Sequence, residues 1–327
     1  MSSIGVVGYG MGSYHCQNIP KIEGFELRAI CDTDPARLKK AGGKHEVELY
    51  STFSELINDT KVQLVVLATP HHIHAPMAIQ ALDAGRHVLV EKVMCLNVAE
   101  ADSMIQASKR ANRTLTVFQN RRLDSDFLTA REVMDSDILG EVYRIEVASN
   151  FYGPHEGWRR KKEFGGGYIY DAGAHVIDQL VQLAGCRATR VYSDTQSRIW
   201  TDTMDTETYA HITLRFESGL SAAIDISGIA RYAKPKWILF GEKGTFVKQD
   251  WEGGLGYIYT SVADLSAKIE VEPKVGNWLD FYNRLSEHLL KGTELWVKPE
   301  EAREAIKIME GAFRSAENDT LVDISEW

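Results

Sequence analysis

The 327-residue chain predicts an α/β protein in two parts. A doubly wound parallel sheet comes first, followed by an α/β domain with a large, open, mostly antiparallel sheet. Three observations carry this expectation. Up to about residue 120, short apolar runs alternate with helix-like segments, the pattern of repeated βα units. The first of these units holds a glycine turn, Gly8-Tyr9-Gly10-Met11-Gly12-Ser13, between two apolar runs. From about Glu141 the strand-like stretches lengthen and alternate apolar with polar, the period of a sheet with one packed face.

The elements follow in order. Ile4-Gly5-Val6-Val7 is a strand, the glycine turn opens a helix, and Phe25 to Cys31 is the second strand, ending at Asp32. Asp34-Pro35 starts a helix to about Ala41, with proline suited to the first turn. Leu64 to Ala68 is continuously apolar, as a strand buried on both faces should be. The next helix runs through Ala84 and closes at Gly85; His87 to Val90 is the next strand. Asn97, with Glu100 three residues on, caps a helix to about Asn112, and Thr114 to Phe118 is a further strand. A domain boundary is expected near residue 120, giving parts 1–120 and 121–327. In the second part Tyr209–Phe216 and Leu220–Ile226 form a hairpin around Glu217-Ser218-Gly219. Helices are expected near Ala174–Ala184, Trp278–Leu290 and Pro299–Ala316.

Composition narrows the function classes. Hydrophobic content of 44% and charged content of 25% are those of an ordinary globular protein. A net charge of −9 argues against a non-specific grip on nucleic acid or an anionic membrane surface. No apolar run approaches a membrane span, and the first residues lack a basic signal-peptide region. Four scattered cysteines without C-x-x-C spacing read as reduced thiols, and a cytoplasmic location follows.

The glycine turn is where a dinucleotide would be held. Glycines let the backbone approach a pyrophosphate, whose charge is met by the amides of a helix N-terminus. Asp32, 24 residues after Gly8, stands where a carboxylate grips ribose hydroxyls. With that charge, and with no arginine next to it in sequence, NAD is expected over NADP. Ser13 replaces the third glycine of the usual pattern, with Gly12 one place early. Thr69-Pro70-His71-His72-Ile73-His74 and Glu91-Lys92-Val93 follow two further strands, at the ends where open α/β sheets bind ligands. The three histidines have no partnering carboxylate or thiolate cluster, so the loop is read as a cofactor contact and no metal is expected. Asp171 and His175 share a face if a helix begins at Asp171; the plainer alternative makes Asp171 an N-cap and His175 a packing residue.

Together these motifs resemble the Gfo/Idh/MocA oxidoreductases, the glucose–fructose oxidoreductase and inositol dehydrogenase family. The resemblance runs over nearly the whole chain. It includes the glycine turn, Ala29-Ile30-Cys31-Asp32, Thr69-Pro70-x-x-x-His74, Ala81-Leu82-x-Ala84-Gly85-x-His87-Val88, Glu91-Lys92 and Asp171-x-x-x-His175-x-x-Asp178. Gln119-Asn120-Arg121-Arg122 and Gly157-Trp158-Arg159 are similar to the branch containing scyllo-inositol dehydrogenases. The resemblance implies a Rossmann domain and an α/β domain whose open sheet covers the active site and often makes an oligomer contact. It implies catalytic Lys92, Asp171 and His175, with Arg121 also on the substrate. On the cofactor it implies Gly8, Gly10, Met11, Gly12, Ser13, Asp32, Thr69, Pro70, His71, His74, Glu91, Trp158 and Arg159.

The expected activity is NAD-dependent oxidation of a ring hydroxyl of a sugar, sugar derivative or cyclic polyol, by a homo-oligomer (dimer or tetramer). Histidine titrates near neutrality and can take the hydroxyl proton, while a lysine ammonium stabilises the oxygen's developing charge. The alternatives are an NAD-dependent redox glycosidase and a catalytically silent NAD- and sugar-binding regulator. One residue departs from the family pattern: Val93 stands where the Glu-Lys-Pro motif has proline. A cis bond before a residue other than proline costs about 2.5–4 kcal/mol, so a trans Lys92-Val93 bond is expected.

Overall fold

The computed structural model describes residues 1–251, 253–263 and 265–327. In chain order the first elements are β1 (Ser2–Val7), α1 (Tyr9–Asn18), β2 (Phe25–Cys31), α2 (Pro35–Gly42), β3 (Glu48–Tyr50), α3 (Phe53–Asn58) and β4 (Leu64–Leu67). Then come α4 (His74–Asp83), β5 (His87–Val90), α5 (Val98–Ala111), β6 (Leu115–Val117), α6 (Ser125–Asp135) and β7 (Val142–Asn150). After these lie α7 (Tyr168–Asp171), α8 (Gly173–Ala184), β8 (Ala188–Gln196), β9 (Tyr209–Phe216), β10 (Ser221–Ser227), β11 (Trp237–Gly241) and β12 (Gly244–Lys248). The last are β13 (Gly256–Val262), β14 (Leu265–Val271), α9 (Leu279–Lys291), α10 (Pro299–Asn318) and β15 (Val322–Asp323).

The chain divides into two compact units, Met1–Gln119 with Leu279–Arg303, and Asn120–Trp278 with Glu304–Trp327. The first unit holds a six-stranded parallel sheet in the order β3-β2-β1-β4-β5-β6. That order reverses between β1 and β4, and such a switch point is where an open α/β sheet binds its ligand. β4 is buried along its whole length, as its unbroken apolar run requires. Local chemistry sets the helix ends. Asp34 accepts the Ala36 N–H and Asn97 accepts the Glu100 N–H, each satisfying an otherwise orphaned donor at a helix start. At the end of α4, Gly85 has φ +79°, and its N–H and that of Arg86 return to the carbonyls of Leu82 and Ala81.

Residues 279–303 complete the core of this unit from far along the chain. Phe281 and Tyr282 of α9 meet Phe118 at ring separations of 4.8 and 5.3 Å, and Trp296 meets Phe281 at 5.9 Å. Polar bonds fix the same segment: Ser286 donates to the Glu23 carbonyl, Thr116 to that of Val297, and Arg303 reaches both oxygens of Asp102.

The second unit is built on a nine-stranded sheet, β14-β13-β12-β11-β7-β10-β9-β8-β15, antiparallel except where β10 pairs with β7. β9 alternates as its sequence predicts. β10 does not: six of its seven residues are buried, because it is an interior strand flanked by β7 and β9 and packed against the turn before α8. A Cβ on Gly173 would sit 3.0 Å from Ile226, so glycine lets the two pack tightly. Trp237, Tyr168, Phe127, Phe216 and Phe246 are the largest side chains in this core.

Replacing Phe281 by alanine, at 3% exposure, is expected to destabilise the protein by about 3–5 kcal/mol. Urea unfolding measures it. A loss under about 1 kcal/mol would remove α9 from the core of the first unit.

Candidate active site

In the first unit the glycine turn lies at the sheet's switch point. Gly8 has φ +88°, and a Cβ there would come within 2.4 Å of the Ala68 carbonyl at the end of β4. Gly12 is similarly constrained, since its Cβ would meet Val6 at 2.8 Å. These two glycines let the start of α1 lie directly on the sheet, while a Cβ at Gly10 would meet nothing closer than Arg37 at 3.9 Å. The open backbone at a helix N-terminus fits a pyrophosphate. Met11 is half exposed, and the Ser13 hydroxyl donates to the Gly10 carbonyl, so serine stabilises the turn in place of the third glycine.

Asp32 is almost wholly buried, and both its oxygens accept backbone N–H groups, from Tyr9 at 2.8 Å and Asp34 at 2.9 Å. It therefore joins the glycine turn to the loop after β2. One expectation needs correcting. Sequence proximity places no arginine beside Asp32, yet the first turn of α2 brings the Arg37 guanidinium to 3.6 Å from Asp32 and 3.6 Å from Asp34.

The loops after β4 and β5 form one structure. His74 is fully buried, with Nδ1 2.7 Å from the Val93 carbonyl and Nε2 2.9 Å from the Thr69 carbonyl. Its ring thus clamps the two loops together. Pro70 leads into a short 3₁₀ turn at His71–Ile73, and His71, also buried, meets the His74 ring at 5.6 Å. The Lys92-Val93 bond is cis, which overturns the expected trans bond. Val93 is buried, and its carbonyl faces His74 Nδ1. Among the described residues no group of three potential ligands could hold a metal.

Glu91 is the centre of this half. One oxygen faces His15 Nε2 at 3.1 Å, and the other accepts the Lys92 N–H at 3.0 Å. The Tyr282 hydroxyl lies 3.0 Å from His15 Nδ1, so the imidazole bridges Tyr282 and Glu91. Burial pushes Glu91 up, but the hydrogen bond and charge of His15, with the charge and N–H of Lys92, outweigh it and hold the carboxyl below its ordinary range. His15 and Tyr282 escaped the sequence reading. They lie 76 and 191 residues from Glu91, and no local pattern links them.

In the second unit the helix does not begin at Asp171. It starts at Tyr168, and Asp171 ends α7, so Asp171 is not an N-cap. Ala172 keeps right-handed helical angles between α7 and α8, so Asp171 and His175 stay on neighbouring turns of one face. Asp171 lies 3.7 Å from His155 Nδ1 and 3.6 Å from Arg159 Nε, and Arg159 covers the Trp158 ring at 4.6 Å. Trp158 and Arg159 thus belong to the surroundings of Asp171. Below this face Arg122 grips Asp178 with bonds of 2.7 and 2.6 Å, both side chains fully buried, and Gln179 donates to the Arg121 carbonyl. This pairing fixes α8 to the segment that carries Arg121.

Glu207 is a third residue missed in the sequence. It accepts the Ile169 N–H at 2.8 Å and lies against Gly167, whose φ of +109° and missing side chain make room for it. A carboxyl from the strand side therefore caps α7. Burial pushes it up to about 7, against the backbone hydrogen bonds that favour its charge.

A parallel sheet of order 3-2-1-4-5-6 with a glycine turn at its switch point defines a dinucleotide-binding protein. Residues 2–119 match the oxidoreductase family with an NAD-binding Rossmann fold, and residues 127–247 match the GFO/IDH/MocA C-terminal domain. The chain belongs to the Gfo/Idh/MocA oxidoreductase family. It is 26% identical to scyllo-inositol 2-dehydrogenase (NADP(+)) IolW of Bacillus subtilis, over 98% of this chain and 95% of that protein. It is 30% identical to myo-inositol 2-dehydrogenase of Thermotoga maritima, over 78% of this chain and 81% of that one. The structure of an NAD-binding protein from Listeria innocua superposes with a TM-score of 0.92 at 26% identity, covering 98% of this chain and 99% of that one. No helix among the described residues is long and apolar enough to cross a membrane.

The buried Glu207 gives a prediction with a definite sign. A carboxyl raised in the folded state holds its proton after the unfolded chain has lost it, so stability falls as pH rises from about 4.5 to about 7. Glu207→Gln removes this term. Its melting temperature relative to wild type is expected to increase between pH 5 and pH 7.5 in calorimetry, and a constant difference would contradict the assignment.

Proposed function

We propose that the protein is an NAD-dependent dehydrogenase that exchanges a hydride with a ring secondary alcohol of a sugar, sugar derivative or cyclic polyol. The observation that carries this reading is the pairing of Asp171 and His175 on one helical face, anchored by the buried Arg122–Asp178 pair and the Glu207 cap. His175 takes the hydroxyl proton, since an imidazole exchanges protons near neutrality. Asp171, beside His155 and Arg159, orients that imidazole and passes the proton on. The Lys92 ammonium stabilises negative charge on the substrate oxygen. The bound nicotinamide supplies the hydride acceptor. Family membership and the two inositol dehydrogenase relatives support a polyol or sugar as the substrate class. A homo-oligomer formed through the open sheet belongs to the same reading; Ile238, Phe240, Tyr257 and Tyr259 share the face of β11 and β13 that the core leaves uncovered.

For cofactor choice the argument is electrostatic. Arg37 could receive a 2′-phosphate, but it is already shared between Asp32 and Asp34. A phosphate there would meet two carboxylates against one guanidinium, so NAD is preferred. NAD is expected to bind at least tenfold more tightly than NADP, about 1.4 kcal/mol, with Asp32→Ser narrowing the gap. Titration of cofactor fluorescence decides it, and equal affinities in wild type would sink the NAD assignment.

For the chemistry, His175→Ala is expected to lower turnover by about 10²–10⁴-fold while NAD affinity stays nearly constant. Formation of NADH from a panel of inositols and sugars is the measurement. A variant that retains near-full turnover would make His175 a packing residue only.

A further inference from the structure

Two side chains from the segment between β7 and α7 stand against the Asp171 carboxylate. Arg159 Nε lies 3.6 Å from it and His155 Nδ1 3.7 Å from it. The two differ in the chemistry open to them. A guanidinium does not give up or take on protons in a protein, whereas a neutral imidazole is a base near neutrality. Arg159 can therefore balance the charge of Asp171 but cannot accept a proton from it. His155 can.

The fold fixes the His155 ring. It stacks on the Tyr168 ring with centroids 3.9 Å apart and planes 23° from parallel, and its side chain is 9% exposed. Tyr168 is wholly buried, and its hydroxyl donates to the Gly153 carbonyl at 2.7 Å, just before the histidine. A Cβ on Gly228 would come within 2.2 Å of the Tyr168 ring, so the ring fills the space of a missing side chain. Arg160 donates to the His155 carbonyl, and the Gly167 N–H returns to the Arg159 carbonyl at 3.0 Å. The loop is thus tied to the start of the helix that ends in Asp171. Charges at the ring oppose one another. Asp171 and the Tyr168 face favour an imidazolium, while burial and the guanidinium groups of Arg159 and Arg160 disfavour it. Glu207, which caps the same helix, adds a carboxyl near Tyr168. Burial pushes the Tyr168 hydroxyl up to about 12, against the His155 backbone bond to it, so Tyr168 stays neutral.

We propose that His155 receives the proton that Asp171 passes on, as the last side chain of the acid–base chain that begins at His175. The proposal rests on the dehydrogenase reading and goes beyond it by naming the group that follows Asp171. The substrate O–H bond breaks and its proton goes to His175. A proton then moves from His175 to Asp171, and from Asp171 to His155 Nδ1. Asp171 ends as a carboxylate and His155 as an imidazolium, which releases the proton to water. The hydride leaves the carbon with its electron pair for the nicotinamide, so both hydrogens of the alcohol are accounted for. At 3.7 Å the Asp171–His155 contact is an ion-pair distance, and catalytic hydrogen bonds tighten when substrate binds.

The test uses the full-length protein with NAD and reads two things separately: the His155 ring by NMR, identified through its contact with Tyr168, and NADH formation from inositols and sugars. In wild type the ring is expected to titrate between about pH 5 and pH 9. Its midpoint is expected to fall by at least about one pH unit, tenfold in proton affinity, in Asp171→Asn. A ring that keeps one charge state over that range in wild type overturns the proposal, and that result needs no variant to fold. So does a midpoint that Asp171→Asn leaves in place. His155→Phe keeps an aromatic ring on Tyr168 but has no nitrogen, and is expected to lower turnover at least about tenfold. Turnover of His155→Ala is expected to recover with added imidazole, in proportion to its neutral form. Near-full turnover in His155→Phe, or no response of His155→Ala to imidazole, would reduce His155 to packing and overturn the proposal. A titrating ring coupled to Asp171, without NADH from any substrate tried, would leave the proton pair standing and count against the dehydrogenase reading. NADH formation with a ring that does not titrate would do the reverse.

Discussion

Much of the first unit is arranged around one buried carboxylate. Glu91 cannot sit in a closed interior unless its oxygens are matched, and the chain meets that demand from two directions: His15 on α1 and the backbone of Lys92. His15 is in turn fixed by Tyr282, so α9 reaches Glu91 through the imidazole. The helix that opens the glycine turn, the strand end that presents Lys92 and the returning α9 therefore share one hydrogen-bonded chain. Removing any member leaves another group buried and unsatisfied, which costs about 1–3 kcal/mol or more for a charge.

The second unit answers the same problem with a different device. Its helical face depends on a bidentate arginine–carboxylate pair beneath α8 and on Glu207 capping α7. Neither Arg122 nor Glu207 lies on the Asp171–His175 face. They hold it from below and from its end, so the proposed acid–base residues stand on a support built from buried polar groups. Gly167 and Gly173 make the same point in steric terms: one admits Glu207, the other lets the α7–α8 turn press on Ile226.

Much of the architecture was legible because its signals are local. The caps at Asp34 and Asn97, the left-handed Gly85 and the unbroken apolar run of β4 each depend on neighbours within a few residues. The family motifs were legible for the same reason, and Asp32 and Arg122–Asp178 were present in them as letters. Their partners were not. Arg37 reaches Asp32 only because a three-residue loop turns α2 back on β2, and the Val93 carbonyl meets His74, 19 residues earlier. The near-complete burial of β10 depends on its place in the sheet and leaves no trace in the alternation of its own residues.

The return of Leu279–Arg303 to the first unit has a consequence for synthesis. A ribosome that has released residues 1–119 has made all six strands of the parallel sheet, but not the aromatic cover over Phe118 nor the hydroxyl that fixes His15. Those arrive only after the whole of 120–278 has emerged. The nascent sheet must wait in an incomplete state, with Phe118 and Gly24 lacking their cover, while the other unit is being made. A fragment cut at residue 119 is therefore an unfinished domain, whatever its sequence motifs suggest.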